Sequence, residues 1–196
     1  MTPISRLWLS FAAIGAGTIH LAVGASAPVL LMITLVGFGT AELGWGAVTL
    51  VRGRALAPGA ALFGALIPVF VWGAVATLGS GLGVPAAATG LPLQPMATAT
   101  LFDLFLAGSL ALILRRASAA PAAPATRTAP PAQDAAVAAQ PAGWRFLAAL
   151  TLAALVVSGL TTPALAATDA GTHAVPHGSH GLPSAPTPES PAGHHH

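Results

Sequence analysis

The stretch from Pro28 to Val51, PVLLMITLVGFGTAELGWGAVTLV, decides the fold. It holds one ionisable side chain, Glu42, in a run longer than the about 20 mostly apolar residues a helix needs to cross a hydrocarbon core. Four further windows have the same character: Leu7 to Ala25, Ala60 to Leu78, Met96 to Leu114 and Trp144 to Leu165. The sequence predicts an all-α polytopic membrane protein, a bundle of five transmembrane helices.

Composition points the same way. The 196 residues are 55% hydrophobic and 6% charged, with a mean hydropathy of +0.78. Soluble domains carry about 25% charged residues, so this chain is made for a bilayer. The net charge is only +2 and the arginines are scattered singly or in pairs, which excludes a nucleic-acid footprint. Cysteine is absent, so disulfides, thiolate metal sites and covalently attached haem are excluded.

Four spans occupy residues 1–116. Residues 117–143, ASAAPAAPATRTAPPAQDAAVAAQPAG, have too little apolar bulk for a core and predict a disordered, semi-extended linker. The fifth helix follows over 144–166, and 167–196 is predicted to be a disordered, His-rich tail. Between Gly79 and Pro95 the chain reads GSGLGVPAAATGLPLQP, where three prolines predict a loop at the membrane interface. Trp8, Trp72 and Trp144 are expected to anchor helix ends at that interface. Pro68 is expected to kink the third span.

Arginine placement predicts orientation. Arg6 precedes the first span, Arg52 and Arg54 join the second and third, and Arg115, Arg116, Arg127 and Arg145 lie between the fourth and fifth. All seven therefore fall on one side, which the positive-inside rule makes the cytoplasm. A multi-pass protein of the plasma membrane is expected, with a cytoplasmic amino terminus and an extracytoplasmic tail. The A-L-A ending at Ala166 imitates a signal-cleavage site, but small residues are common at helix ends in an Ala-rich chain, and an uncleaved span is expected.

Three ionisable side chains lie inside the spans: His20, Glu42 and Asp103. A charged group at a helix centre costs about 2.5–3.5 kcal/mol on translocon scales, so each is a functional candidate. His20 shares a face with Ala12, Ala16 and Gly24, Glu42 with Gly39, Gly46 and Thr49, and Asp103 with Ala99, Thr100 and Ala107. Such small-residue faces predict helix–helix contact. The rise per residue sets His20 and Asp103 within roughly 10 Å of the outer boundary and Glu42 nearer the middle, a descending path for protons or a cation. The competing reading is helix glue, with His20 paired to Asp103 and Glu42 bonded to a neighbouring carbonyl or threonine. Both readings stay open in the sequence.

The tail gathers six of the seven histidines: His173, His177, His180, His194, His195 and His196. Neutral imidazole suits copper, zinc and nickel ions, and the surrounding Gly, Pro and Ser describe a flexible chelator. Asp169 and Glu189 are available as oxygen ligands. No nucleophile elbow, phosphate-cradling glycine loop or zinc-protease motif appears, so no enzyme is expected.

AGTIHLAVG at Ala16–Gly24, followed by GFGTAELGWGAVTLVRGR at Gly37–Arg54, is similar to a group of small multi-pass membrane proteins of actinobacteria. They share a histidine late in the first span, a polar residue before a Trp in the second, and often a His-rich outer end. The matching positions are His20, Glu42, Trp45 and the tail from His173. The second span of that group more often follows a PEH-like segment, where this chain has ASAP at Ala25–Pro28. The resemblance implies class and location only.

The first functional expectation is that the protein handles a divalent transition metal, capturing it with the outer tail and storing, passing on or sensing it. The second is a structural or accessory subunit without metal chemistry, docked on a membrane partner or on its own copies.

Overall fold

The computed structural model describes residues 2–83, 91–119 and 143–174. Its helices are α1 (Pro3–Gly24), α2 (Val29–Arg52), α3 (Pro58–Gly81), α4 (Leu93–Ala119), α5 (Gly143–Ala166) and the short α6 (Asp169–Thr172). Among the described residues there is no strand. The first five are long and apolar enough to cross a membrane, so the protein is an all-α, multi-pass bundle. The predicted linker, apart from residues 117–119 and 143, lies outside the described residues, as does the tail beyond residue 174.

Local chemistry sets the helix ends. Thr2 caps α1, its hydroxyl accepting from the Ser5 N–H at 3.1 Å, and Pro3 occupies a first-turn position where a missing N–H is harmless. Gly53 closes α2 in the left-handed conformation (φ 72°), which glycine adopts without Cβ strain. The expected loop at Gly79–Pro95 is shorter than the prolines suggested: α3 runs on to Gly81 and α4 starts at Leu93. Pro95 sits in the first turn of α4, where its lack of an N–H costs no hydrogen bond. Residues 84–90 of that loop lie outside the described residues.

α1 is the central helix, packed against α2, α4 and α5, while α3 lies on α4 and touches α2 little. Two apolar layers fill the interior. One joins Ile19, Val23, Leu35, Leu91, Met96 and Phe102, with Ala164 of α5. The other joins Leu9, Ala13, Ala65, Leu106 and Leu110 nearer the opposite end. Trp72, half-buried, packs on the first layer from α3. Trp144, 73% exposed at the start of α5, stands where an anchor belongs. Outward-facing Leu30, Ile33, Phe63, Phe70 and Leu155 form the surface that meets lipid.

The described arginines gather at one end of the bundle. Arg6 Nη1 donates to the Gly53 carbonyl at 3.1 Å, tying the start of α1 to the end of α2. Arg116 shares a surface cavity with Ile4 and Ser5, which brings the last turns of α4 to the same end. Ala164 meets Val23 in the first layer, so Arg145 at the start of α5 also lies at the arginine-bearing end.

Candidate metal centre in the helix bundle

The three intramembrane ionisable residues converge. His20 on α1, Glu42 on α2 and Asp103 on α4 are all buried, and one ligand atom from each lies within 4.8 Å of the others. His20 Nδ1 stands 2.8 Å from Glu42 Oε2. His20 Nε2 is 3.8 Å from Asp103 Oδ2, too far for a hydrogen bond. The small faces expected around them do turn inward: Ala12, Ala16 and Gly24, then Gly39, Gly46 and Thr49, then Ala99 and Ala107 are buried. Thr100, expected with Asp103, is only half-buried.

Two sequence-based details are corrected by this geometry. The close partner of His20 is Glu42, not Asp103. The descending path is replaced by a single centre between the two apolar layers. Side-chain direction explains both. Every Cα–Cβ bond in a helix leans toward that helix's amino end. α1 runs away from the arginine-bearing end and α2 and α4 run toward it. His20 therefore leans toward that end while Glu42 and Asp103 lean away from it, and the three tips meet at a depth that none of their Cα atoms shares.

Close approach of α1 and α2 makes the meeting possible. A Cβ on Gly46 would stand 2.9 Å from the Ser10 carbonyl oxygen, so only hydrogen fits there. Glu42 lies between Gly39 and Gly46, where a short interhelical distance lets its carboxylate reach the imidazole.

The centre is left with unsatisfied chemistry. His20 Nε2, Glu42 Oε1 and both oxygens of Asp103 are buried without a hydrogen-bond partner. Buried polar atoms are nearly always paired, so four together call for a shared proton or a bound cation. A carboxylate accepts only, so in the 2.8 Å contact Nδ1–H donates to Glu42, and Nε2 faces Asp103. A carboxylate behind a histidine in this way orients the ring and raises its basicity toward a metal. The 3.8 Å gap is close to the roughly 3.4 Å between two ligands that each sit about 2.1 Å from a tetrahedral ion.

Of the tail histidines, the structure describes His173 alone; His177, His180, His194, His195 and His196 lie outside the described residues. Its exposed ring donates from Nδ1 to the Asp169 carbonyl at 2.8 Å, which leaves Nε2 open to solution. Sequence reasoning missed Trp45 as more than a resemblance. Its Nε1–H donates to the Leu56 carbonyl at 2.8 Å, fixing the indole beside Glu42. The spacing of three from Glu42 was the available signal.

No protein-family model matches this chain, and no curated protein or solved structure matches it.

Proposed function

We propose that this protein binds a divalent transition metal ion inside the membrane, between His20 Nε2 and the Asp103 carboxylate, with Glu42 holding the imidazole in place. The observation that carries the reading is the convergence of one imidazole and two carboxylates from three helices, with four buried atoms unpaired. Charge supports it. Two carboxylates packed together in a low-dielectric interior are tolerated as ions only when a cation neutralises them. A divalent cation does so in one step. The mixed nitrogen and oxygen donor set suits zinc, with copper and nickel as competitors.

In this reading the histidine tail works upstream. It starts at the end of α5 away from the arginines and would capture the ion on the extracytoplasmic face, while the bundle holds or relays it. The positive-inside rule supports a cytoplasmic arginine-bearing end in a plasma membrane. A metal-free accessory subunit is the rival.

The test is zinc binding to the full chain in lipid nanodiscs, followed by calorimetry. The wild type is expected to show a class of site that His20→Ala removes and that tail substitutions leave intact. Absence of that class from the wild type, or its survival in His20→Ala, overturns the reading.

A further inference from the structure

The surface cavity beside Arg116 has a volume of about 430 Å³ and lies between the start of α1 and the last turns of α4. Its walls divide by polarity. Arg116, Ser5 and Ser109 supply polar atoms, and Trp8, Phe105 and Leu112 supply the apolar part. Trp8 and Phe105 meet edge to face with ring centroids 6.5 Å apart, so an aromatic wall stands ready. Phe105 and Leu112 are half-exposed and belong to the flank of the bundle that meets lipid.

The polar end carries uncompensated positive charge. Among the described residues no arginine pairs with a carboxylate. Glu42 and Asp103 are buried in the metal centre, and Asp169 follows α5 at the opposite end of the bundle. Arg6 gives its guanidinium to the Gly53 carbonyl, whereas Arg116 has no partner among the described residues. The Ser5 hydroxyl stands 2.7 Å from that of Thr2, and the Thr2 proton can make this contact, which frees the Ser5 O–H for a ligand. The start of α1 adds the positive end of its helix dipole.

These features select the occupant. A guanidinium beside a hydroxyl suits a phosphate, which it can bind through two parallel hydrogen bonds. A free phosphate would leave the wall of Trp8, Phe105 and Leu112 uncovered. A second copy of this chain set end to end would bring arginine against arginine. An anionic phospholipid satisfies both halves of the cavity, and basic pockets between membrane helices bind such head groups. We infer that the groove between α1 and α4 binds one anionic glycerophospholipid. Arg116 and Ser5 hold its phosphate, Ser109 offers a hydroxyl to an ester oxygen, and an acyl chain lies on Trp8, Phe105 and Leu112. The site needs the bilayer and does not depend on the metal.

The test is native mass spectrometry of the full chain in neutral detergent, with phosphatidylglycerol and phosphatidylcholine of identical acyl chains added together. The wild type is expected to retain one phosphatidylglycerol about tenfold more than phosphatidylcholine. Arg116→Gln should lower that preference about fivefold, the worth of one charge near an anionic head. Arg115→Gln removes the same charge from a neighbouring exposed side chain outside the groove, and should leave the preference as in the wild type. An excess of glycerol phosphate, which has the head and lacks the chains, should leave the lipid in place. Equal retention of the two lipids overturns the inference. Equal losses in the two arginine variants also overturn it, because general surface charge then explains retention. Displacement by glycerol phosphate would assign the groove to a soluble anion instead.

Discussion

Gly17 and Gly39 face each other so closely that a Cβ on Gly17 would stand 2.6 Å from the Gly39 carbonyl oxygen, and one on Gly39 2.7 Å from that of Gly17. Neither obstacle is a flexible side-chain end; both are backbone. An alanine at either position must therefore separate α1 from α2, and the His20–Glu42 hydrogen bond spans that same interface. Gly39→Ala is expected to cost about 1–3 kcal/mol, the range for overpacking. It should also weaken zinc binding at the buried centre. Gly44→Ala is the control, because a Cβ there meets nothing within 4 Å. Its stability should change by no more than about 1 kcal/mol, in the stabilising direction. Thermal unfolding in detergent, read beside zinc calorimetry, separates the two. Equal behaviour of the two variants would remove the close glycine contact as the determinant of the site.

The same contact explains what the sequence made legible. Five spans follow from length and apolar content alone, and inward faces follow from small residues at helical spacing. Both needed only local information. The partner of His20 did not. It depends on the antiparallel register of α1 and α2, which the opposed glycine pairs set, and on the opposite lean of side chains on helices of opposite direction. Treating Cα depth as side-chain depth placed Glu42 too far from His20 and made a path out of a centre. The groove beside Arg116 was hidden for a similar reason: it needs the start of α1 set against the end of α4, and no pattern within either helix announces the other.

Asp103 gives a test in which glue and ligand have opposite signs. Its oxygens are buried with no partner but the neighbouring Glu42 carboxyl, so in the metal-free protein an ionised Asp103 costs stability. Asp103→Ala is expected to leave the metal-free protein as stable as the wild type or more so. It should lower zinc affinity at least tenfold, about 1.4 kcal/mol. If the side chain is glue, the substitution destabilises the metal-free protein and leaves zinc affinity alone. Unfolding curves with and without chelator distinguish the two outcomes.

Orientation is tested with fusions. Arg6, Arg52, Arg54, Arg116 and Arg145 lie at one end of the bundle, and the positive-inside rule predicts that this end is cytoplasmic. A reporter active only in the cytoplasm should work when fused near Ala123, and one active only outside should work after Gly171. The reverse pattern would invert the membrane and put the tail in the cytoplasm.

The tail histidines need a background without the buried centre, because both sites would bind zinc. In a His20→Ala chain, remaining binding belongs to the tail or to surface carboxylates. The visible start of the tail already suggests a ligand: Thr168 caps α6, and Asp169 fixes the His173 ring so that Nε2 points outward. Flexible Gly/Pro spacing beyond it implies modest affinity, with copper held more tightly than nickel or zinc as the Irving–Williams order requires. Only neutral imidazole coordinates a metal, so binding should weaken as acidification protonates the rings. Replacing His173, His177 and His180 with alanine should remove one class of copper site while His194, His195 and His196 keep another. Calorimetry of the full chain in nanodiscs reads both classes. If the triple substitution changes nothing, the last three histidines account for all tail binding. The spaced histidines are then spectators, and capture upstream of the bundle loses its support.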